Sequence, residues 1–266
     1  MVTAMMGDRA RSDLVGTRFA ALRWVADTGS TNRDLLDLAA TGAPDGTVLV
    51  ADHQTAGRGR LDRSWHALPG ASLLLSVLFR PAADAVDAHL LTTAVGLSAA
   101  EACELVAGVG PGLKWPNDLV VASPTDGSTR KLGGILAEST VRDGRLDAVV
   151  VGLGLNVNWP RELPADLADI AIALNHFGGE VDREALLVAL LRRLGHWGTV
   201  TPAELMAGAR DRSATLGHEV RVDLGREQFE GRAVELTDRG ELVVETAAGE
   251  RRTVVVGDVV HVRPTP

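Results

Sequence analysis

The chain holds a single cysteine, Cys103, in 266 residues. One thiol makes neither an internal disulfide framework nor a cysteine metal cluster. It lies in an apolar, alanine-rich stretch over residues 98–106, where a small buried hydrophobe is expected and a nucleophile is not. Basic residues are also short: 27 Lys and Arg face 35 Asp and Glu, a net charge of −8. A general nucleic-acid binder is usually basic, so this balance argues against a nucleic-acid partner. The sequence shows no apolar run that reads as long enough to span a bilayer. Residues 1–11 lack the apolar core of a signal peptide, so a cytoplasmic protein with no membrane partner is expected. No repeat is visible, and no G-x-G-x-x-G opens a helix after a strand, which removes the dinucleotide fingerprint.

What is present begins with 45% hydrophobic residues, enough for a sizeable core in one large domain or a large one plus a small one. Residues 1–12 are polar and small and are expected to lack regular structure. Strand-like segments follow at 19–25, 47–51 and 72–79, with a helix starting in the capping cluster 27–32 and stopping at Gly42. Residues 84–106 carry a long helical pattern, and 113–121 read as extended chain broken by a turn at 115–118. Two strands, 131–138 and 148–157, are expected around an Asp143-Gly144 turn. Residues 182–197 and 201–210 read as helices, the second with Pro202 in its first turn. After about residue 213 the pattern changes to short strands separated by turns such as Asp238-Arg239-Gly240, the rhythm of a small β-barrel.

Four short motifs carry candidate chemistry. Gly57-Arg58-Gly59-Arg60 offers backbone N–H groups and two guanidinium forks to an anion; alone, it also fits a solvated basic loop. Lys114-Trp115-Pro116-Asn117-Asp118 gathers a cation, an amide and a carboxylate at a proline turn, suited to phosphate and Mg²⁺ or simply to an exposed turn. In Lys131-Leu132-Gly133-Gly134, alternation on a strand turns Lys131 away from Leu132 and toward a cleft, although a lysine beside a strand is more often a surface charge. Gly152, Gly154 and Asn156 share one strand face and leave it open, either for a ligand or for close helix packing.

Taken in order, these motifs resemble the biotin protein ligase family. The pattern runs Ser30-Thr31-Asn32, Gln54-Thr55-Ala56-Gly57-Arg58-Gly59-Arg60, Trp65, Lys114-Trp115-Pro116-Asn117-Asp118, Lys131-Leu132-Gly133-Gly134-Ile135-Leu136 and Gly152-Leu153-Gly154-Leu155-Asn156, over roughly residues 24–198. The resemblance implies an α+β fold: a mixed β-sheet catalytic domain packed with helices, like class II synthetases and biotin-lipoate ligases, over 1–213, and a small SH3-like β-barrel over 214–266. It implies an ATP-dependent ligase that forms biotinyl-5′-AMP with release of pyrophosphate. The biotin is then passed to a lysine of the biotin carboxyl carrier domain of an acyl-CoA or pyruvate carboxylase.

By the same resemblance, Ser30, Thr31, Asn32, Gln54, Arg58, Gly59, Arg60 and Lys131 bind biotin, and Arg58, Arg60, Lys114, Asn117, Lys131 and Asn156 bind ATP. Asn156 also stands near Mg²⁺, and Lys131, Arg58 and Asp118 are the catalytic candidates. The arginine loop 58–65 is expected to be mobile when empty and to close over the adenylate, and a second ordering segment is expected over 159–173. Some family members carry an N-terminal winged helix-turn-helix; with 29 residues before Ser30, a form without a DNA-binding role is expected, as a monomer or homodimer. A lipoate ligase, a non-catalytic biotin-responsive regulator and a generic glycine-rich nucleotide-binding domain are the competing readings. The first differs in ligand pocket, the second has no need of Lys131 or Asp118, and the third explains single motifs but not their order.

Overall fold

The structure is a computed structural model describing residues 6–61, 63–81, 88–142, 145–165, 167–225, 227–255 and 257–261. The expected Asp143-Gly144 turn and the start of the long helix at 84–87 lie outside the described residues. The polar N-terminal segment does not run without regular structure through residue 12. It forms α1 (Asp8–Asp13), anchored by an Arg9–Asp182 ion pair of 2.5 Å and by the Ala10 N–H donating to Glu184.

Seven strands form the main sheet: β1 (Leu22–Thr28), β2 (Val48–Gln54), β3 (Ser72–Phe79), β4 (Gly112–Lys114), β5 (Asp118–Ala122), β6 (Thr129–Arg142) and β7 (Arg145–Asn156). Their order is β1-β2-β3-β7-β6-β5-β4, with β1–β2 parallel and the other pairs antiparallel. The sheet is covered on both faces, which is why β3 reads as a continuous apolar run and is buried at all eight positions. Helix α2 (Thr31–Ala40) lies on one face, where Leu35 and Ala39 pack on Leu49, Leu78, Ala148 and Val150. On the other face α3 (Ala88–Ala107) and α4 (Arg183–Trp197) enclose the main core with Leu73, Leu75, Val149, Val151, Leu153 and Leu155.

Helix α3 corrects one expectation, because it is long and apolar enough by itself to cross a membrane. Here it is an interior helix with Ala94, Val95, Leu97, Ala99, Ala100 and Ala102 buried, an apolar stretch whose partners are other elements of the protein. Cys103 is buried in the same helix, and burial pushes its thiol up to about 12, so it is chemically inert. The Asp182 carboxylate caps α4 by accepting from the Glu184 and Ala185 N–H groups. Helix α5 (Pro202–Asp211) opens with a Thr201/Glu204 capping box and proline in its first turn.

A second sheet of five antiparallel strands follows: β8 (Glu219–Asp223), β9 (Gln228–Leu236), β10 (Leu242–Glu245), β11 (Arg251–Val254) and β12 (Asp258–His261), in the order β11-β10-β9-β8-β12. The expected small β unit is therefore present, with its own core of Val220, Val222, Ala233, Leu242, Val244 and Val254. Met206 and Ala209 of α5 and Trp115 join that core. Trp115 ties the two sheets together: its N–H donates to Thr215 Oγ1 at 2.9 Å and its Nε1 to the Gly240 carbonyl at 3.0 Å. Gly240 closes the Asp238-Arg239-Gly240 turn at φ 78°, and a Cβ there would collide with the His89 ring.

Candidate active site

The even-numbered face of β7 meets α2 at Ala148 and Val150, and then runs out of side chains at Gly152 and Gly154. Gly134 and Leu136 of β6 stand beside them in register. These missing side chains floor a cavity of about 560 Å³, a volume within the ordinary range for small-molecule sites. Two large groups lean over the floor. Asn32 Oδ1 takes the space a Cβ on Gly152 would fill, and the Trp65 ring comes within 2.5 Å of where a Gly154 Cβ would be. Both readings of the glycine strand therefore hold together: Gly152 admits a helix residue, and Gly154 opens the cavity.

At one end, the N-terminus of α2 supplies polar groups. Ser30 occupies the N-cap position with extended backbone but makes no capping bond, and it is buried in the cavity wall. Gln54 Oε1 accepts from the Thr31 N–H at 2.7 Å and lies 3.0 Å from Thr31 Oγ1. Ser76 Oγ lies 2.7 Å from Thr31 Oγ1 and 2.6 Å from Asn32 Oδ1. Asn32 Nδ2 donates to the Leu136 carbonyl and to Glu138.

Cations also gather around the cavity. The glycine- and arginine-rich loop forms a short hairpin: Trp65 N–H donates to Gly57 at 2.9 Å, Gly59 N–H donates to Arg63 at 2.7 Å, and Leu61 turns at φ 54°. Arg58 donates to Glu138 at 2.8 Å, while Arg60 donates to the Gly257 carbonyl at 3.1 Å, reaching the second sheet. Lys131 Nζ lies 2.6 Å from Asp118 Oδ1 and 5.5 Å from the centre of the Trp65 ring. A β-bulge between Leu119 and Val120 shifts the register that brings Asp118 beside Gly134, under the Lys131 side chain. Lys131 is further held by main-chain bonds with Ile170 and Ile172, so the 159–173 segment docks directly onto it.

Every residue singled out for biotin or ATP lines this one cavity: Ser30, Thr31, Asn32, Gln54, Arg58, Gly59, Arg60, Lys114, Asn117, Lys131 and Asn156, with the catalytic candidate Asp118 among them. Asn117 is partly engaged already, its Nδ2 donating to the Ile135 carbonyl at 2.6 Å. Asn156 donates to the Ile172 carbonyl, and its Oδ1 is buried without a partner. The Trp65 Nε1 is likewise buried and unpartnered. Such orphaned polar atoms in a cavity are what a bound ligand satisfies. Among the described residues there is no group of three or more His, Cys, Asp or Glu able to hold a metal by themselves.

The residue-type reading missed Ser76, Glu138 and Val259. Ser76 sits unmarked in an apolar strand, Glu138 looks like an exposed strand carboxylate, and Val259 comes from the second sheet to line the cavity. Only the alternation of β3 and β6 hints at the first two.

Comparison with known proteins gives a consistent picture. Residues 24–156 match the model of the Biotin/lipoate A/B protein ligase family, and residues 215–262 match the Biotin protein ligase C terminal domain. The Biotin--[acetyl-CoA-carboxylase] ligase of Mycobacterium tuberculosis is 41% identical over 264 residues, covering 93% of this chain and 91% of that one. The Bifunctional ligase/repressor BirA of Bacillus subtilis is 32% identical, covering 84% of this chain and 69% of its own. Among solved structures, the biotin protein ligase from Aquifex aeolicus in complex with biotin and ATP superposes with a TM-score of 0.76 at 30% identity, covering 92% of this chain and all of that one.

Proposed function

Because the chain belongs to the biotin protein ligase family, we propose that its cavity joins biotin to ATP as biotinyl-5′-AMP and then hands the biotinyl group to a lysine of a biotin carboxyl carrier domain, in an acyl-CoA or pyruvate carboxylase. The observation that carries this reading is the cavity itself. A slot floored by glycines gathers the polar groups at the start of α2 with the cations Arg58, Arg60, Lys114 and Lys131.

The bicyclic head of biotin offers two N–H donors and a carbonyl. Ser30, Thr31, Asn32 and Gln54 answer them with hydroxyl and amide groups. A buried group left unpaired there costs about 1–3 kcal/mol. The carboxylate then meets the triphosphate, and the difficulty is the repulsion of two anions. Arg58, Arg60, Lys114 and Lys131 offset it with fixed charge where charge develops. A carboxylate oxygen attacks the α-phosphorus, a new O–P bond forms, the bond to the β-phosphate bridge breaks, and pyrophosphate leaves. In the second step the carrier amine attacks the carbonyl carbon, a C–N bond forms, AMP leaves, and the amine loses a proton.

Asp118, at 2.6 Å, holds the Lys131 ammonium over Gly134, and so orients it toward the reacting carboxylate. The unpartnered Asn156 Oδ1 is a hard oxygen donor. With no cluster of three acids among the described residues, an Mg²⁺ would arrive with the phosphates, and Asn156 would be the residue to hold it. Mg²⁺ would supply further charge neutralisation at the phosphates. The Arg58–Trp65 hairpin moves between an open and a closed state in this reading, and closure keeps water from the anhydride. The catalytic unit comprises residues 1–213 and the C-terminal unit 214–266. A cytoplasmic setting, where ATP and carboxylases meet, goes with the reaction. The repressor role named for the Bacillus relative belongs to that protein.

The test is transfer: the protein, biotin and Mg-ATP are incubated with an apo carrier domain, and the carrier is weighed by mass spectrometry. One added biotinyl group on one lysine is expected, absent when that lysine is arginine. Lipoyl addition in a parallel reaction with lipoate in place of biotin and none with biotin, or equal labelling of the arginine variant, would contradict the proposal.

A further inference from the structure

One carboxylate behind the cavity wall has a place in no step described so far. Glu138 of β6 is not part of the cavity lining, yet it binds two residues that are, Arg58 and Asn32, side by side. Its Oε1 and Oε2 accept from Arg58 Nη2 at 2.8 and 3.1 Å, and its Oε2 accepts from Asn32 Nδ2 at 2.8 Å. The side chain is about three-quarters buried, whereas Arg58 is nearly half exposed on a hairpin flanked by Gly57 and Gly59. The rigid partner is therefore the carboxylate, and the arginine is the group being placed. Both contacts engage the same Nη2, which leaves Arg58 Nη1 and Nε as donors for an anion.

The line of contacts continues beyond Asn32. Three close contacts, Thr31 to Gln54, Thr31 to Ser76 and Ser76 to Asn32, share two hydroxyl protons. One assignment gives every acceptor a donor. Gln54 Oε1 takes the Thr31 N–H, the Thr31 hydroxyl donates to Ser76, and the Ser76 hydroxyl donates to Asn32 Oδ1. Asn32 Nδ2 is then directed to Glu138, and Glu138 fixes Arg58.

We propose that Glu138 is a positioning residue for the adenylation step: it sets the Arg58 guanidinium for the nucleotide and ties that setting, through Asn32, to the end of the cavity where the head of biotin binds. The inference rests on the ligase reading above. A carboxylate serving only as packing would tolerate a neutral isostere. One that positions a cation by charge would not, because charge-assisted bonds to arginine are about twice as strong as neutral ones.

Biotin-dependent ATP–pyrophosphate exchange and biotin affinity by calorimetry separate the two. Glu138→Gln keeps an acceptor for Asn32 and loses the charge facing Arg58. It should lower kcat/KM for ATP about 10-fold, the effect of weakening one charge-assisted hydrogen bond, with part of the loss in kcat and with biotin Kd within about 3-fold of wild type. Glu138→Ala should weaken biotin binding as well. Glu138→Asp, which keeps the charge, should restore part of the ATP effect. In an Arg58→Ala background, Glu138→Gln should add little, since both act through the same guanidinium. A Glu138→Gln protein with unchanged kcat/KM for ATP, full additivity with Arg58→Ala, or loss of folded protein in both the Gln and Asp variants would each overturn the proposal. Absence of biotin-dependent exchange in the wild type would instead remove the ligase reading beneath it.

Discussion

The two sheets use glycine in opposite ways. In the seven-stranded sheet, Gly134, Gly152 and Gly154 withhold side chains from one face, and the space becomes a cavity entered by Asn32 and Trp65. In the five-stranded sheet, Gly231 lies so close to the Glu245 carbonyl that a Cβ would strike it, and the strands close on a core of valines. One sheet gives up packing to hold a ligand; the other supports it with Val259 at the cavity wall and the Gly257 carbonyl for Arg60. Loss of a side chain from a strand thus means a site only where another element brings charge to the opening.

Substitutions sharpen that contrast. Gly154→Val drives a side chain into the Trp65 ring. Overpacking of about 1–3 kcal/mol should fall on ligand binding, raising KM for biotin roughly 10- to 100-fold in a steady-state assay. Gly231→Ala in the second sheet should do the reverse, lowering stability to denaturant by about 1–3 kcal/mol while turnover per folded molecule stays near wild type. Equal losses of turnover in both would break the comparison. Trp115→Phe removes the bond to the Gly240 carbonyl that joins the two sheets. It should cost about 1–2 kcal/mol in urea unfolding, from one buried hydrogen bond whose acceptor is left bare.

The smallest effect belongs to the N-terminal tie. Burial pushes the Asp182 carboxyl up, but the hydrogen bond from Arg9 and those from Ala185 and Glu184 outweigh it and hold it below the usual aspartate range. A depressed carboxylate stabilises above its unfolded value and loses that contribution as pH falls through its folded value. Arg9→Ala should therefore lower Tm by no more than about 2–3 °C at neutral pH, and the gap to wild type should narrow below about pH 3.9. A gap that widens in acid would refute the assignment.

Much of this was legible because local chemistry and tertiary role agreed. The apolar run of β3, the Asp182 and Thr201 caps and the Asp238-Arg239-Gly240 turn each carry their cause in the residue types. The motif residues were legible as a set, and the fold gathers them around one cavity. Other features left no mark. Lys131 pairs with Ile170 and Ile172 through main-chain atoms, and the Arg60 guanidinium donates to the Gly257 carbonyl; main-chain partners do not depend on residue type. Helix α1 has too few residues for a periodic pattern and is held by distant charges. The apolar length of α3 reads the same whether lipid or protein surrounds it, and only packing on α4 decides. Glu138 looks like any strand carboxylate until Asn32 and Arg58 arrive from elsewhere in the chain.

The central claim is that Lys131, held by Asp118, offsets the charge that develops as biotin is adenylated. Biotin-dependent ATP–pyrophosphate exchange by wild type and Lys131→Ala, with lipoate in a parallel assay, tests it most directly. The account predicts exchange with biotin and not lipoate, reduced about 10²- to 10³-fold in the variant, as for removal of one preorganised donor at a developing charge, with Tm unchanged. Exchange in Lys131→Ala close to that of wild type, or lipoate serving as well as biotin, would contradict it.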